Sequence, residues 1–293
     1  MQGESPEKYR EELLLAQFYN QATLTYTGGT VNSNITVGEV TEVITATKTP
    51  ITKEYTADSD VTYLISLVNS GNVDVTGVTV VDDLGGYTVG TETVYPLSYV
   101  ADSVTYLVDG TPSAAPTVTV NGTVTFSDIT VPANGNVAII YEAETTAYAP
   151  LGEGATISNS ATINGSCIVD PIIAAATVPM DMAPALTISK SLTPDVLSGC
   201  TEITYTFDIR NYGGAAEAAA QIALADTFDP PLAGLEVTLG GTAFTAYTYS
   251  ETTGVMTTTA GAITVPAATF TQNTDGTWTT DPGVVTVTVT GTM

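Results

Sequence analysis

A long internal duplication constrains the fold of this chain more than any other feature. Residues 44–83 match residues 186–227 in pattern, and the sequence Ile-Thr-Val-Pro-Ala occurs at 129–133 and again at 263–267. Each copy of that pentapeptide is followed by a further apolar, alternating run. The match extends over most of a domain's length, so we expect two copies of one domain in tandem.

Short runs of alternating apolar and polar residues fill both copies. Thr62–Val68 and Val284–Thr290 are examples, and Asn, Gly, Asp and Pro separate such runs. This pattern is typical of strands that bury one face in a sandwich. Thr and Val are abundant and only 13% of the residues are charged, which favours strands over helices. The prediction is an all-β protein with two tandem Ig-like β-sandwich domains.

The closing strand of the first copy recurs near the N-terminus. Residues Asn159–Ile163 read Asn-Ser-Ala-Thr-Ile, and residues Asn20–Leu24 read Asn-Gln-Ala-Thr-Leu. No such segment follows Val284–Thr290 before Met293, so we expect the second domain to lack its closing strand. The N-terminal copy is then a candidate donor strand, made of Asn20, Gln21, Ala22, Thr23, Leu24, Thr25 and Tyr26.

The expected organisation is a short extension followed by two domains. Residues 1–27 form the extension, and within it residues 5–17 are expected to be a short helix. Ser5 suits the N-cap of that helix and Pro6 its first turn. The other boundaries are a linker at 28–43, the first sandwich at 44–165, a linker at 166–185 and the second sandwich at 186–293.

A sandwich with an unfilled edge exposes unpaired backbone groups, and a strand from another copy can complete it. Head-to-tail joints of this kind need not close, so they generate fibres. The sequence therefore predicts a self-polymerising subunit. Two alternatives stay open: residues 20–26 could fold back into the second domain of the same chain, or they could be an ordinary edge strand whose similarity is accidental.

Two of the four lysines occupy the same place in the two copies. Lys48 and Lys190 each stand 15 residues before a tyrosine, Tyr63 and Tyr205. Each copy also has an aspartate after its third apolar run, and each closing strand carries an asparagine. A lysine, an acid and an asparagine on facing strands can form an isopeptide bond. The predicted sets are Lys48, Asp82 and Asn159 within the first domain, and Lys190, Asp226 and Asn20 between subunits.

The chemistry requires a lysine that is neutral, and burial lowers a lysine pKa. The aspartate would polarise the asparagine amide and shuttle the proton that lets ammonia leave. Glu142 and Glu144 are weaker candidates for the acid because residues 287–290 contain no acidic match. The competing interpretation is that each asparagine bonds the backbone and each lysine reaches solvent.

Charge excludes some partners. The formal net charge is −25, with six basic residues and no histidine, so neither nucleic acid nor an anionic membrane surface is an expected partner. No apolar run is long enough to span a membrane. We expect no metal and no cofactor. Cys167 and Cys200 are either a disulfide across the domain junction or two thiols.

Three segments carry a family resemblance: Tyr63–Gly71, Val80–Leu84 and Asn159–Ile163. They resemble the bacterial conserved repeat domain known as domain of unknown function eleven, which is common in Gram-positive surface proteins. The resemblance implies an Ig-like sandwich, tandem arrays, and an extracellular location on the cell or spore surface. It implies no catalytic activity. Residues 1–10 are polar, so no secretory signal is visible.

The leading functional hypothesis is a structural filament subunit whose partner is itself. The alternative is a monomeric surface adhesin or ligand-binding module, with a site in the insert Tyr87–Thr125 or the segment Gly234–Gly261. An enzyme is the weakest hypothesis because the sequence has no histidine and no recognisable nucleophile motif or metal cluster. Asp226-Thr227-Phe228 also lacks the glycine expected of an aspartic protease.

Overall fold

The computed structural model describes residues 16–40, 42–165, 167–196, 202–216 and 222–293. These residues form strands and connecting turns, with no helix among them, which confirms the all-β prediction. Alternation explains why. In the strand Asp60–Asn69, for example, Val61, Tyr63, Ile65 and Leu67 are buried and the residues between them are not.

The N-terminal arm, residues 16–40, is an antiparallel hairpin. Its strands are β1 (Ala16–Asn20), β2 (Thr23–Tyr26), β3 (Gly29–Asn32) and β4 (Thr36–Val40). β1 pairs with β4 and β2 pairs with β3, and the two-residue loop Thr27-Gly28 reverses the chain. Among the described residues, the arm strands pair only with one another.

The first domain is a sandwich of two antiparallel sheets. Its strands are β5 (Ile44–Pro50), β6 (Asp60–Asn69), β7 (Val75–Asp82), β8 (Tyr87–Val89), β9 (Glu92–Val94), β10 (Leu97–Tyr99), β11 (Thr105–Val108), β12 (Thr111–Pro112), β13 (Thr117–Asn121), β14 (Thr123–Val131), β15 (Asn136–Thr145), β16 (Thr156–Asn164) and β17 (Ile172–Pro179). One sheet has the order β12-β11-β15-β6-β5, with β10 also on β15. The other has the order β13-β14-β7-β16-β17.

The second domain repeats this plan over fewer strands. They are β18 (Leu186–Thr193), β19 (Glu202–Asn211), β20 (Ala225–Thr227), β21 (Ala233–Leu239), β22 (Thr242–Ala243), β23 (Tyr247–Tyr249), β24 (Val255–Thr258), β25 (Thr269–Gln272), β26 (Trp278–Asp281) and β27 (Gly283–Thr292). One sheet has the order β18-β19-β27-β21-β22, and the other has the order β23-β24-β20. The duplication therefore places β18 at the position of β5, and β20 at that of β7.

The duplication extends to single hydrogen bonds in the loop after the second strand of each domain. In the first domain the side chain of Asn69 donates to Val73 O and Val131 O, and accepts from Gly71 N. Asn211 makes the equivalent three bonds with Ala215, Pro266 and Gly213 in the second domain. A buried asparagine thus ties the same loop in both copies to the repeated Ile-Thr-Val-Pro-Ala segment.

Each domain has its own hydrophobic core. The first core is built from both sheets and includes Tyr55, Phe126 and Ile139. The second core is smaller and includes Phe207, Phe228 and Val289. The β25–β26 hairpin belongs to the second domain in sequence, but Phe270 and Trp278 pack against the first core.

The structure differs from the expected boundaries in three places. The segment 28–43, expected to be a linker, contains β3 and β4. The segment 166–185, also expected to be a linker, contains β17, which pairs with residues 156–163 of β16. The helix expected at 5–17 lies outside the described residues except for 16 and 17, which are in β1 because they pair with β4.

Candidate cross-link site and open sheet edge

The fold brings Lys48, Asp82 and Asn159 together inside the first domain. Lys48 lies on β5, in one sheet. Asp82 at the end of β7 and Asn159 on β16 lie on neighbouring strands of the other sheet. All three side chains are buried. The sequence prediction of this set is therefore consistent with their placement in one part of the core.

Hydrogen bonds connect the three residues through Tyr141. Lys48 Nζ lies 2.5 Å from Asp82 Oδ2, and the Tyr141 hydroxyl donates to the same oxygen at 2.5 Å. Asn159 Nδ2 donates to the Tyr141 hydroxyl oxygen at 3.3 Å. Asn159 Oδ1 is buried and has no hydrogen-bond partner among the described residues. The amide carbonyl of Asn159 is thus not engaged by another donor.

Burial governs the protonation of this cluster. It lowers the pKa of Lys48, and the carboxylates of Asp82 and Asp83 oppose part of that shift. Burial raises the pKa of Tyr141, and the charge of Asp82 raises it further. The lysine is therefore moved toward its neutral form, and the tyrosine stays protonated as a donor.

Sequence reasoning missed Tyr141. It lies on β15, directly opposite Tyr63 on β6, and the two rings stack with centroids 5.7 Å apart. The matching position in the second domain is Val289, opposite Tyr205. A search for residues shared by both copies could not find it. Alternation in β15 signals only that Tyr141 faces the core.

In the second domain the same lysine and aspartate meet at the surface. Lys190 Nζ lies 2.5 Å from Asp226 Oδ2, but the side chains are 41% and 19% exposed. The ammonium of Lys190 lies 4.7 Å from the ring centroid of Tyr205, as that of Lys48 does from Tyr63. The lysine–aspartate and lysine–tyrosine distances are the same in the two copies, whereas the solvent exposure of the pair differs.

The difference in solvent exposure arises because one edge of a sheet is paired in the first domain and, among the described residues, unpaired in the second. In the first domain β7 pairs with β14 on one side and with β16 on the other, where Asp82 faces Ala161. In the second domain β20 pairs with β24, and no other described strand lies beside it. The far edge of β20 is the position that β16 fills in the first domain. We call it the open edge.

Asn20 and the rest of the expected donor strand lie in the arm. Asn20 ends β1 opposite Thr36, and its side chain is exposed, so the described structure does not bring it to Lys190. Leu24 and Tyr26 are 64% and 57% exposed. The arm thus presents large apolar side chains to solvent.

The remaining kinds of site are a cysteine pair, a metal site and a ligand-binding groove. Cys167 is exposed and Cys200 lies outside the described residues. Within the described ranges, no cluster of histidine, cysteine and acidic residues could hold a metal ion. The insert Tyr87–Thr125 borders a shallow groove lined by Tyr99, Val118 and Val120, among others. The described residues contain no helix long and apolar enough to cross a membrane.

Comparisons with known proteins give structural neighbours only. BcpA, the major pilin subunit of Bacillus cereus, is similar with 14% identity and a TM-score of 0.36, covering 91% of this chain and 73% of that one. The RrgB pilus backbone of Streptococcus pneumoniae has 13% identity and a TM-score of 0.35, covering 85% and 50%. A C-terminal fragment of the Streptococcus agalactiae major pilin GBS80 has 11% identity and a TM-score of 0.36, covering 77% and 79%. No family model and no curated protein matches this chain.

Proposed function

We propose that this protein is a structural subunit of an extracellular filament on a cell or spore surface. Subunits join head to tail when residues 20–26 of one copy insert at the open edge of the next. The observation that carries this proposal is the contrast between two equivalent pairs. Lys48–Asp82 is buried under β16, whereas Lys190–Asp226 is exposed beside an edge with no described strand.

The first domain supplies the register of the joint. There Ala161 pairs with Asp82, and Ile163 pairs with Val80. The matching pairs between subunits are Ala22 with Asp226, and Leu24 with Leu224. This register places Asn20 two residues from Ala22 on the same face, as Asn159 is from Ala161. Asn20 then faces the core near Lys190.

A covalent bond can lock each domain once the strand is in place. The neutral lysine Nζ attacks Cγ of the asparagine, the Cγ–Nδ2 bond breaks, and an amide forms between Nζ and Cγ. Nδ2 leaves as ammonia, taking the proton that the aspartate transfers from Nζ. Lys48 and Asn159 form this bond within the first domain, and Lys190 and Asn20 form it between subunits.

Strand insertion supplies the affinity for the joint. Each main-chain hydrogen bond adds about 1 kcal/mol net. Burial of a side chain the size of Leu24 adds about 1.5 to 3 kcal/mol. The insertion also covers backbone groups that a soluble sheet edge leaves open to aggregation.

Removal of residues 1–27 tests the proposal. We expect the shortened chain to stay monomeric in size-exclusion chromatography and to show no fibres by electron microscopy, while the full chain polymerises. A chain that lacks only residues 1–15 is the control, and it should still polymerise. Fibres from the chain without residues 1–27 would overturn the proposal, as would a full chain that stays monodisperse, the behaviour of an adhesin module.

A further inference from the structure

The first strand of the second domain exposes an apolar stripe that the first domain covers. Leu186, Ile188 and Leu192 alternate along one face of β18 and are 41%, 57% and 37% exposed. Lys190 lies on the same face. The matching residue for Leu186 in the first domain is Ile44, which is 5% exposed. An element therefore covers β5 in the first domain, and no described residues cover β18 in the same way.

The cover over β5 is β17. This strand pairs with β16 along its full length and lies against β5, so it closes the gap between the edges of the two sheets. Its inward side chains Ala174, Ala176 and Val178 are buried in the same core as Ile44. A single strand at the position of β16 would leave the β18 face bare.

The second side of the arm, β3 and β4, pairs with its first side much as β17 pairs with β16, with a shift of one residue between the β1–β4 and β2–β3 pairs. Asn159 pairs with Ala176 in the first domain, and Asn20 pairs with Thr36 in the arm. Ile163 pairs with Ile172, and Leu24 pairs with Val31. Directly opposed residues in an antiparallel pair share a face. Thr36 and Val31 therefore lie on the face of the arm that carries Asn20 and Leu24.

From this correspondence we infer that the donor is the whole two-stranded hairpin, residues 16–40. We infer that it binds to the second domain of another copy of this chain. β1 and β2 pair with β20 across their free edge. β3 and β4 replace β17 and cover Leu186, Ile188 and Leu192. The inference rests on the proposed function and adds a second contact surface to the joint.

The apolar surfaces on both sides support a second copy as the occupant. Val31 and Ile35 of the arm are 50% and 56% exposed, and the β18 stripe is equally apolar. The described arm carries one charged residue, Glu39, although the chain as a whole is strongly acidic. An arm so poor in charge suits burial against a sheet more than exposure to solvent.

Single substitutions on the two faces of β4 test the inference in the full chain. Thr36→Arg places a charge on the face that would be buried, so it should reduce polymer by more than about tenfold because an unpaired buried charge is costly. Val37→Arg places the same charge on the opposite face, whose counterpart Thr177 is exposed, and should polymerise normally. Thr36→Ala introduces the residue found at position 176. It loses the same Thr36 hydroxyl bond to Asn20 O and should also polymerise.

Ala22→Arg separates this inference from the proposed function. If Ala22→Arg abolishes polymer but Thr36→Arg polymerises like Val37→Arg, a single strand is inserted and the hairpin inference is wrong. If Ala22→Arg itself polymerises normally, the proposed joint is wrong. Equal losses in Thr36→Arg and Val37→Arg would also overturn the inference, because it requires one face of β4 to be buried and the other open.

Cysteine labelling gives a readout that does not depend on blocking assembly. In polymers of Thr36→Cys, maleimide labelling at position 36 should be at least about tenfold slower than in the monomer that carries the same substitution. In polymers of Val37→Cys, position 37 should label at the monomer rate. Peptide mass mapping distinguishes these sites from Cys167 and Cys200. Fast labelling at position 36 in the polymer would contradict the inference.

Discussion

Lys48 is a basic side chain buried in a sandwich core, and its neighbours determine the free-energy cost of holding it there in its charged form. Asp82 pairs with it at 2.5 Å, and the ring of Tyr63 lies 4.7 Å from its ammonium. Separating two buried charges from water usually costs more than their attraction returns. An amide between Lys48 and Asn159 would remove the lysine charge from the core, which gives the proposed bond a stability benefit as well as a mechanical one.

Lys48→Met tests this residue directly. The variant keeps most of the side-chain volume but removes the bond to Asn159 and leaves buried Asp82 without the Lys48 nitrogen as a partner, so the free energy of unfolding should fall by about 3 to 5 kcal/mol. Intact-mass spectrometry of the unsubstituted chain should show the loss of one ammonia for the internal bond, and the variant should not. Denaturant unfolding measures the first effect.

Lys53→Met is the matched control because Lys53 is exposed. Its effect should stay within about 0.5 kcal/mol, and its mass should keep the ammonia loss. Equal stability of the two variants would contradict the role given to Lys48. An unsubstituted chain of full calculated mass would contradict the internal bond while leaving the strand joint untouched.

At the scale of elements, the β25–β26 hairpin links the two domains. Trp278 N donates to Ala147 O at 2.8 Å, and the Tyr87 hydroxyl donates to Gly276 O at 3.4 Å. Phe270 and Trp278 pack against the core of the first domain. The hairpin, which belongs to the second domain in sequence, thus contacts the first domain, and we expect these contacts to couple the unfolding of the two.

Trp278→Ala should weaken this coupling by about 1 to 2 kcal/mol, since Trp278 is partly buried in the contact. Calorimetry of the variant should separate the domain transitions further than in the unsubstituted chain. Val255→Ala is the control, because Val255 is 43% exposed and belongs to a strand of the second domain away from the hairpin. If Val255→Ala separates the transitions equally, the hairpin is not the coupling element.

At the scale of the whole molecule, charge opposes assembly. Each subunit carries a formal charge of −25, so two subunits repel before the arm reaches its site. The arm itself is almost uncharged over its described residues. In the proposed joint the attraction would therefore be short-range, and the repulsion that slows assembly would be long-range and sensitive to salt.

We expect fibre formation to become faster as salt rises from about 0.01 M to about 0.15 M, where the Debye length falls from about 30 Å to about 8 Å. Light scattering during assembly measures the rate. The chain without residues 1–27 should show no rise in scattering at any salt concentration, which separates assembly from salting out. Slower assembly at higher salt would indicate a joint that depends on attraction between opposite charges.

Much of this organisation could be read from the residues alone. The alternation of apolar and polar residues predicts the strands, because a half-buried strand has a period of two. The duplication shows that Lys48 is equivalent to Lys190 and Asp82 to Asp226. Tyr141 could not be found this way, because its counterpart Val289 cannot form a hydrogen bond. The sequence pattern predicts linkers at β4 and β17, because what makes these segments strands is their pairing with β1 and β16.

The sequence by itself determined the fold class and the repeat, since these depend on local period and on residue type, and from the repeat it predicts which residues form the cross-links. The tertiary structure decided which of those residues are covered. Lys48 and Lys190 have equivalent places in the chain and the same 2.5 Å contact with aspartate, yet one is buried and the other exposed. Burial depends on which strands lie beside β5 and β18, and that is a property of the whole arrangement of sheets.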